Sequence, residues 1–153
     1  MLYGTFNGGK RIRPYLISTF SEIANLPAQN YYQLSAAVEC IHSYSLIHDD
    51  LPCMDDDDYR RGKLSVHKKF NEAQAILAGD SLHDIAFEIL SDRKTSNNAK
   101  IRIKLVKLLS SAVGLKGLAG GQFLDLNFEN KKTNKSNILK MYNLKTATLF
   151  RFC

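Results

Sequence analysis

The chain has 153 residues, 44% hydrophobic and 24% charged, the composition of an ordinary globular protein with room for one core. Its apolar stretches, such as Ile76-Leu77-Ala78, are far too short to cross a bilayer, and no basic-then-apolar signal opens it, so neither membrane insertion nor secretion is expected. A formal charge of +6 suits a polyanionic ligand, but a dense carboxylate run and the absence of any nucleic-acid motif argue for a small diphosphate-sized molecule over a nucleic acid.

Taken in chain order, the elements are helices. Gly8-Gly9-Lys10-Arg11-Ile12-Arg13-Pro14 places three cations beside a flexible glycine pair at a helix entry. Lys10 and Arg13, three apart, are expected to share a face of a helical turn and to converge on one anion. It is not a Walker A loop, because the Gly-x4-Gly-Lys-Ser/Thr spacing is absent. A helix from Pro14 to about Ala24 is closed by the stretch Asn25 to Asn30 with Pro27.

The next helix runs from Tyr31 to Leu51, with Leu34, Val38, Ile41, Ser45 and Leu46 near a 3.6-residue repeat. It puts Ser45 one turn and His42 about two turns below Asp49. Then comes the most informative run: Asp49, Asp50, Asp55, Asp56, Asp57 and Asp58 place six carboxylates within ten residues, followed at once by Arg60, Arg61 and Gly62. Massed carboxylates repel one another, and Mg²⁺, a hard cation shared with phosphate oxygens, is their natural occupant. Guanidinium forks suit the phosphate half of that arrangement. A solvated acidic loop is the ordinary alternative, weakened here by Ile47, Leu51 and Met54 threading into the run. On a straight helix Asp49 and Asp56 would share a face, but Pro52 must bend or bulge the helix and can rotate Asp55 into place; spacing does not choose between them.

A loop over residues 55–65 leads to a periodic helix over Glu72 to Leu90, then a polar loop from Asp92. Asn97 or Asn98 is expected to cap a helix running to about Val113. Gly114, Gly117, Gly120 and Gly121 either permit close backbone approach or weaken a helix. Gln122 and Asp125 lie three apart, and a polar connection over residues 127–136 precedes a last helix from Asn137 to Phe150 carrying Lys145 and Thr146. No strand pattern of convincing length and no internal repeat is present, so the fold class is all-α. Cys40, Cys53 and Cys153 are odd in number and lack metal-ligand spacing, and read as free thiols of a cytoplasmic protein.

Six motifs, in order, resemble those of the trans-isoprenyl diphosphate synthase (polyprenyl synthetase) family, most nearly its bacterial farnesyl diphosphate synthase type. They are Gly8 to Pro14, Glu39 to His48, Asp49 to Gly62, Ala78-Gly79-Asp80-Ser81-Leu82, Gly120-Gly121-Gln122-Phe123-Leu124-Asp125-Leu126 and Lys145-Thr146. The resemblance implies an antiparallel helix bundle of the isoprenoid synthase type, here incomplete. It implies Mg²⁺ and a condensation of isopentenyl diphosphate with dimethylallyl or geranyl diphosphate to farnesyl diphosphate. Asp49 and Asp55 would be the principal metal ligands with Asp50 supporting, and Arg60 would contact the allylic diphosphate. Lys10, Arg13, His42 and Arg61 would hold isopentenyl diphosphate, with Lys145, Thr146 and Gln122 on the allylic side. Tyr44, five residues before the run, resembles the floor that limits product length, with Ser45 beside it; geranyl and geranylgeranyl products rank behind farnesyl. A homodimer is implied once the fold is complete. Family members are much longer, and this sequence holds no second DDxxD run or glycine after Lys145-Thr146, where Ala147 stands. The chain is therefore read as the N-terminal half of such a domain over residues 1–153. A catalytically inactive shortened form that binds only Mg²⁺ and diphosphate is the other reading.

Overall fold

The computed structural model describes residues 1–153 and resolves two compact units, Met1–Asn97 and Asn98–Cys153. The first contains α1 (Leu2–Thr5), α2 (Ile12–Ile23), α3 (Ala28–Asp49), a hairpin of β1 (Tyr59–Arg60) and β2 (Lys63–Leu64), α4 (Val66–Lys69) and α5 (Glu72–Ser91). Helix α3 lies between α2 and α5, which is why its buried residues occupy more than one face: Tyr31, Ala37, Val38, Ile41, Ser43, Ser45 and Ile47. Helix α5 meets it through small residues, Ala75, Ala78, Gly79 and Ala86, with Leu82 and Leu90 filling the layer. At Gly79 even one methyl would run into the His48 ring, whose Nε2 lies 3.0 Å from the Ile76 carbonyl. Ile47, Leu51, Val66, Ala75 and Leu82 form the core under the acidic run, with Tyr3, Cys40, Tyr44 and Met54 packed against it.

Unit 2 contains α6 (Ala99–Val113), α7 (Leu118–Phe128), α8 (Lys135–Tyr142), a π-helical turn (Asn143–Ala147) and α9 (Thr148–Phe152). Leu109, Ala112, Val113, Met141 and Leu149 are its buried centre. Asn71, Asn98 and Asn134 each cap a helix through the side-chain oxygen, accepting from the backbone N–H of Gln74, Lys100 and Asn137 respectively.

The helix over residues 72–91 and the Asn98 cap agree with the sequence expectation. Helices α2 and α3 start earlier than expected, at Ile12 and Ala28 instead of Pro14 and Tyr31, and three further local features differ. The loop over residues 55–65 contains the hairpin, whose two-residue connection, Arg61 (φ 54°) and Gly62 (φ 77°), has the left-handed pair of a type I′ turn. The glycine-rich stretch folds into α7, because its glycines are used for close approach and the helix is held by packing, not by propensity. The last helix starts earlier than Asn137 and is interrupted by the π turn. No helix is long and apolar enough to cross a membrane.

Candidate active site

Helix α3 ends at Asp49 and does not bend through Pro52. The chain instead winds a wide turn, and the Asp55 N–H donates to the Asp49 carbonyl at 2.8 Å. Asp55 is thereby tied through its backbone to the end of the helix, while Asp56 has a left-handed backbone at φ 51°. Spacing left Asp55 and Asp56 open, and the turn bonds the Asp55 backbone N–H to the Asp49 carbonyl and the Asp56 N–H to the Leu51 carbonyl. Carboxylates are hard oxygen donors of the kind Mg²⁺ takes. Asp50 is different: it is 2% exposed, and Arg60 Nε donates to its Oδ1 at 2.8 Å while Arg60 Nη2 contacts the same oxygen. Arg60 Nη2 also donates to Asp57 Oδ2 at 2.9 Å. Burial pushes the Asp50 carboxyl up from its usual range, the Arg60 guanidinium pulling it back only in part.

Arg61, the next residue, engages the opposite neighbour. Its Nη1 donates to the Gly8 carbonyl, and its guanidinium lies where a side chain on Gly9 (φ 113°) would stand. Gly9, Lys10, Arg11, Ile12, Arg13, Glu39, His42 and Arg61 enclose a cavity of about 460 Å³, within the range of small-ligand sites. All four residues expected to hold one diphosphate are in that lining. The route by which Lys10 and Arg13 meet is not the expected one. Helix α2 begins only at Ile12, so Lys10 is outside it, and the convergence comes from Arg11, whose backbone is left-handed at φ 50°. Arg11 is itself a brace: Nη2 donates to the Thr5 carbonyl at 2.7 Å and Nη1 pairs with Glu39. The Glu39 charge, the cavity's one carboxylate, is thus already answered.

His42 sits half-buried in this cationic wall. Burial first, then Arg13, Arg61, Arg11 and Arg60, lower its pKa from 6.5 to about 3, so it is a neutral imidazole at physiological pH. The unfolded chain takes up this proton below its ordinary pKa and the folded site refuses it until about pH 3, so between those limits the unfolded state holds more protons. Stability is therefore expected to fall as pH drops through that window, by at most about 1.4 kcal/mol per unit from this group. Urea denaturation at pH 7 and pH 5 should show a smaller loss in His42→Gln than in the parent chain.

Ser45 is buried and its hydroxyl donates to the His42 carbonyl at 2.9 Å, so it faces the core of α3. Tyr44 is half-buried, edge-on to His48 at 5.5 Å and to His83 at 5.2 Å between ring centres. The sequence did not single out His83, and no local signal marked it.

In unit 2, Gln122 is 6% exposed and neither its Oε1 nor its Nε2 has a hydrogen-bond partner. A fully orphaned buried amide is costly unless something supplies the missing bonds. Lys145, in the π turn, pairs with Asp125, one helical turn beyond Gln122, and Thr146 is exposed. Asp125 was noted in the sequence only as a neighbour of Gln122; its partner becomes visible once α7 and the π turn pack together. Gly121 permits that packing, since a Cβ there would overlap the Lys145 backbone nitrogen. Gly121→Ala is expected to destabilise the chain by about 1–3 kcal/mol through this overlap, measured as a lowered urea midpoint. An unchanged midpoint would show that the contact has room to give.

The polyprenyl synthetase family model matches residues 1–153. Farnesyl diphosphate synthase of Escherichia coli K12 is 47% identical over 152 residues, covering 99% of this chain and 51% of that protein. The apo crystal structure of an FPP/GFPP synthase from Zymomonas mobilis is 45% identical with a TM-score of 0.93, over 95% of this chain and 53% of that one. Geranyltransferase from Helicobacter pylori, solved with magnesium and isoprenyl diphosphate, is 37% identical with a TM-score of 0.89, over 99% of this chain and 51% of that one. The fold is thus that of the isoprenoid synthases, and the chain spans about half the length of the curated relatives it matches. With a match that runs through every residue and every motif of the site, the chain belongs to the polyprenyl synthetase family.

Proposed function

We propose that this chain carries the diphosphate-binding and first metal-binding portion of a short-chain prenyl transfer site, with farnesyl diphosphate as product. The observation that carries the reading is the pairing of two neighbouring centres in unit 1. Arg60 belongs to the Asp50–Asp57 side and Arg61 to the cavity of Lys10, Arg13 and His42. A reaction that joins two diphosphate esters needs one cationic cradle for the ester that stays intact and a stronger electrophilic clamp for the one that leaves.

Asp49 and Asp55 are assigned as the direct Mg²⁺ ligands, with Asp50 supporting from behind Arg60. Mg²⁺, when bound, supplies positive charge against a departing diphosphate. Arg60 is assigned to the allylic diphosphate, fixed in direction by its two carboxylate partners before any ligand arrives. Lys10, Arg13, His42 and Arg61 are assigned to isopentenyl diphosphate. His42, kept neutral, can offer one ring N–H to a phosphate oxygen without adding a charge that burial would oppose. Tyr44 and Ser45 are assigned to product length, and the allylic-side role that the resemblance implies for Gln122, Lys145 and Thr146 belongs to the same reading. A homodimeric, cytoplasmic enzyme, as the resemblance implies, completes it, and the free thiols of Cys40, Cys53 and Cys153 suit a reducing compartment.

The test is incubation of the purified chain with Mg²⁺, isopentenyl diphosphate and dimethylallyl diphosphate, with parallel calorimetry using inorganic pyrophosphate. Mg²⁺-dependent pyrophosphate binding is the expected result. Its absence would overturn the proposal. Binding without prenyl product would favour the second reading, a diphosphate-binding chain without turnover.

A further inference from the structure

The aspartates of the acidic run do not share one destination. The Asp55 backbone returns to the Asp49 carbonyl and the Asp57 carboxylate goes to Arg60, which leaves Asp56 and Asp58. The Asp56 N–H, on a left-handed backbone, donates to the Leu51 carbonyl at 3.1 Å, and the hairpin closes with the Ser65 N–H donating to the Asp58 carbonyl at 2.9 Å. That closure brings His67, two residues beyond Ser65, to the same place. A ring nitrogen of His67 and a carboxylate oxygen from each of Asp56 and Asp58 all lie within 4.8 Å of one another.

A second observation singles out this cluster. His67 is 6% exposed, its Nδ1 lies 3.1 Å from the Ser65 hydroxyl, and its Nε2 is buried with no hydrogen-bond partner. A buried imidazole nitrogen rarely goes unanswered. With Nδ1–H donating to the Ser65 oxygen, Nε2 carries a free lone pair, the arrangement in which a neighbouring acceptor fixes the tautomer of a metal-ligating histidine. The two carboxylates are exposed and can close on an ion, while the histidine is held from beneath. Lys68 already competes for one of them, its Nζ lying 2.8 Å from Asp58 Oδ1.

We infer that His67, Asp56 and Asp58 form a second divalent-cation site, separate from Asp49 and Asp55 and suited to a borderline transition ion such as Zn²⁺. One imidazole with two carboxylates is a donor set that such ions accept, whereas Mg²⁺ prefers oxygen alone. An ion there would tie the acidic turn to the base of the hairpin, holding the segment that positions Asp55 and Arg60.

The experiment titrates Zn²⁺ alone into the chain carrying Cys53→Ser, which removes the exposed thiol of the same loop. Binding is followed by long-range ¹H–¹⁵N correlation of the histidine rings. The expected result is a metal-bound shift at His67 Nε2, retained in Asp49→Asn/Asp55→Asn and lost in Asp56→Asn/Asp58→Asn. Lys68→Gln should tighten Zn²⁺ binding by up to about five-fold, the equivalent of releasing an exposed ion pair. The inference is overturned if His67 keeps its shift when Zn²⁺ saturates the protein. It is also overturned if the Asp56/Asp58 variant binds as the parent does, or if loss of Asp49 and Asp55 removes the His67 signal. None of these readouts depends on diphosphate binding, so the site and the prenyl transfer reading fail separately.

Discussion

A chain carrying Asp49→Asn together with Asp55→Asn is expected to lose the Mg²⁺-dependent part of its pyrophosphate binding by about 100-fold or more, measured by calorimetry in Mg²⁺ and in EDTA. Asparagine keeps the shape of each side chain and removes its charge, so the oxygen donors that replace part of the Mg²⁺ hydration shell are weakened together. Changes to residues that merely support metal ligands cost about 10- to 100-fold in metal affinity, and two direct donors are altered here. The turn should survive, because the bond that closes it runs from the Asp55 N–H to the Asp49 carbonyl and uses neither carboxylate. Thermal stability should hold or rise as carboxylate repulsion is relieved. Undiminished Mg²⁺-dependent binding in a folded variant would remove these two residues from the metal site.

Arg60→Ala is expected to destabilise the chain by about 2–4 kcal/mol, a large share of a small protein's stability. The cause is Asp50, 2% exposed and left without its guanidinium partner. The figure lies at or below the range for a broken buried pair because the Arg60 side chain is itself 31% exposed. Adding Asp50→Asn should recover much of the loss, since a neutral amide is less costly to bury unpaired. Arg61→Ala offers the contrast: Arg61 is exposed and bonded to a single carbonyl, so its loss should barely move the urea midpoint while weakening pyrophosphate binding. Equal destabilisation by the two alanine variants would contradict the assignment of Arg60 as the braced residue and Arg61 as the more loosely held one.

The same contrast shows what could be read before folding. Arg60 and Arg61 are indistinguishable in the sequence, each a cation following an acidic run. Their different fates arise because Arg60 ends a strand facing buried Asp50, whereas Arg61 occupies the first central position of a type I′ turn. Three non-glycine residues at the site, Arg11, Asp56 and Arg61, have left-handed backbones. Such positions are unfavourable for L-residues and persist only where surrounding contacts hold them. Arg11 is held by Glu39 and Arg61 by Gly8, partners remote in sequence, with Thr5 a nearer one for Arg11. No periodicity or propensity announces a conformation that is fixed from so far away. The glycines of residues 117–121 were ambiguous for a related reason: their use depends on which backbone approaches, and for Gly121 that backbone is the π turn bearing Lys145.

By itself the sequence determined the helical class, the end of α3 near Pro52, a cap at Asn97 or Asn98 and the charge pattern of the acidic run. These follow from local causes: apolar spacing, a missing backbone donor, a side-chain oxygen at a helix start, and charge density that calls for counter-charge. It also determined the family, through six motifs in order. Only the tertiary structure decided how the six aspartates divide: the Asp55 backbone to the Asp49 carbonyl, the Asp50 and Asp57 carboxylates to Arg60, and those of Asp56 and Asp58 to the neighbourhood of His67. Each carboxylate carries the same charge, so charge alone cannot sort them. The sorting is made by one left-handed residue, one buried partner and one hairpin closure, all of which exist only when distant parts of the chain are packed together.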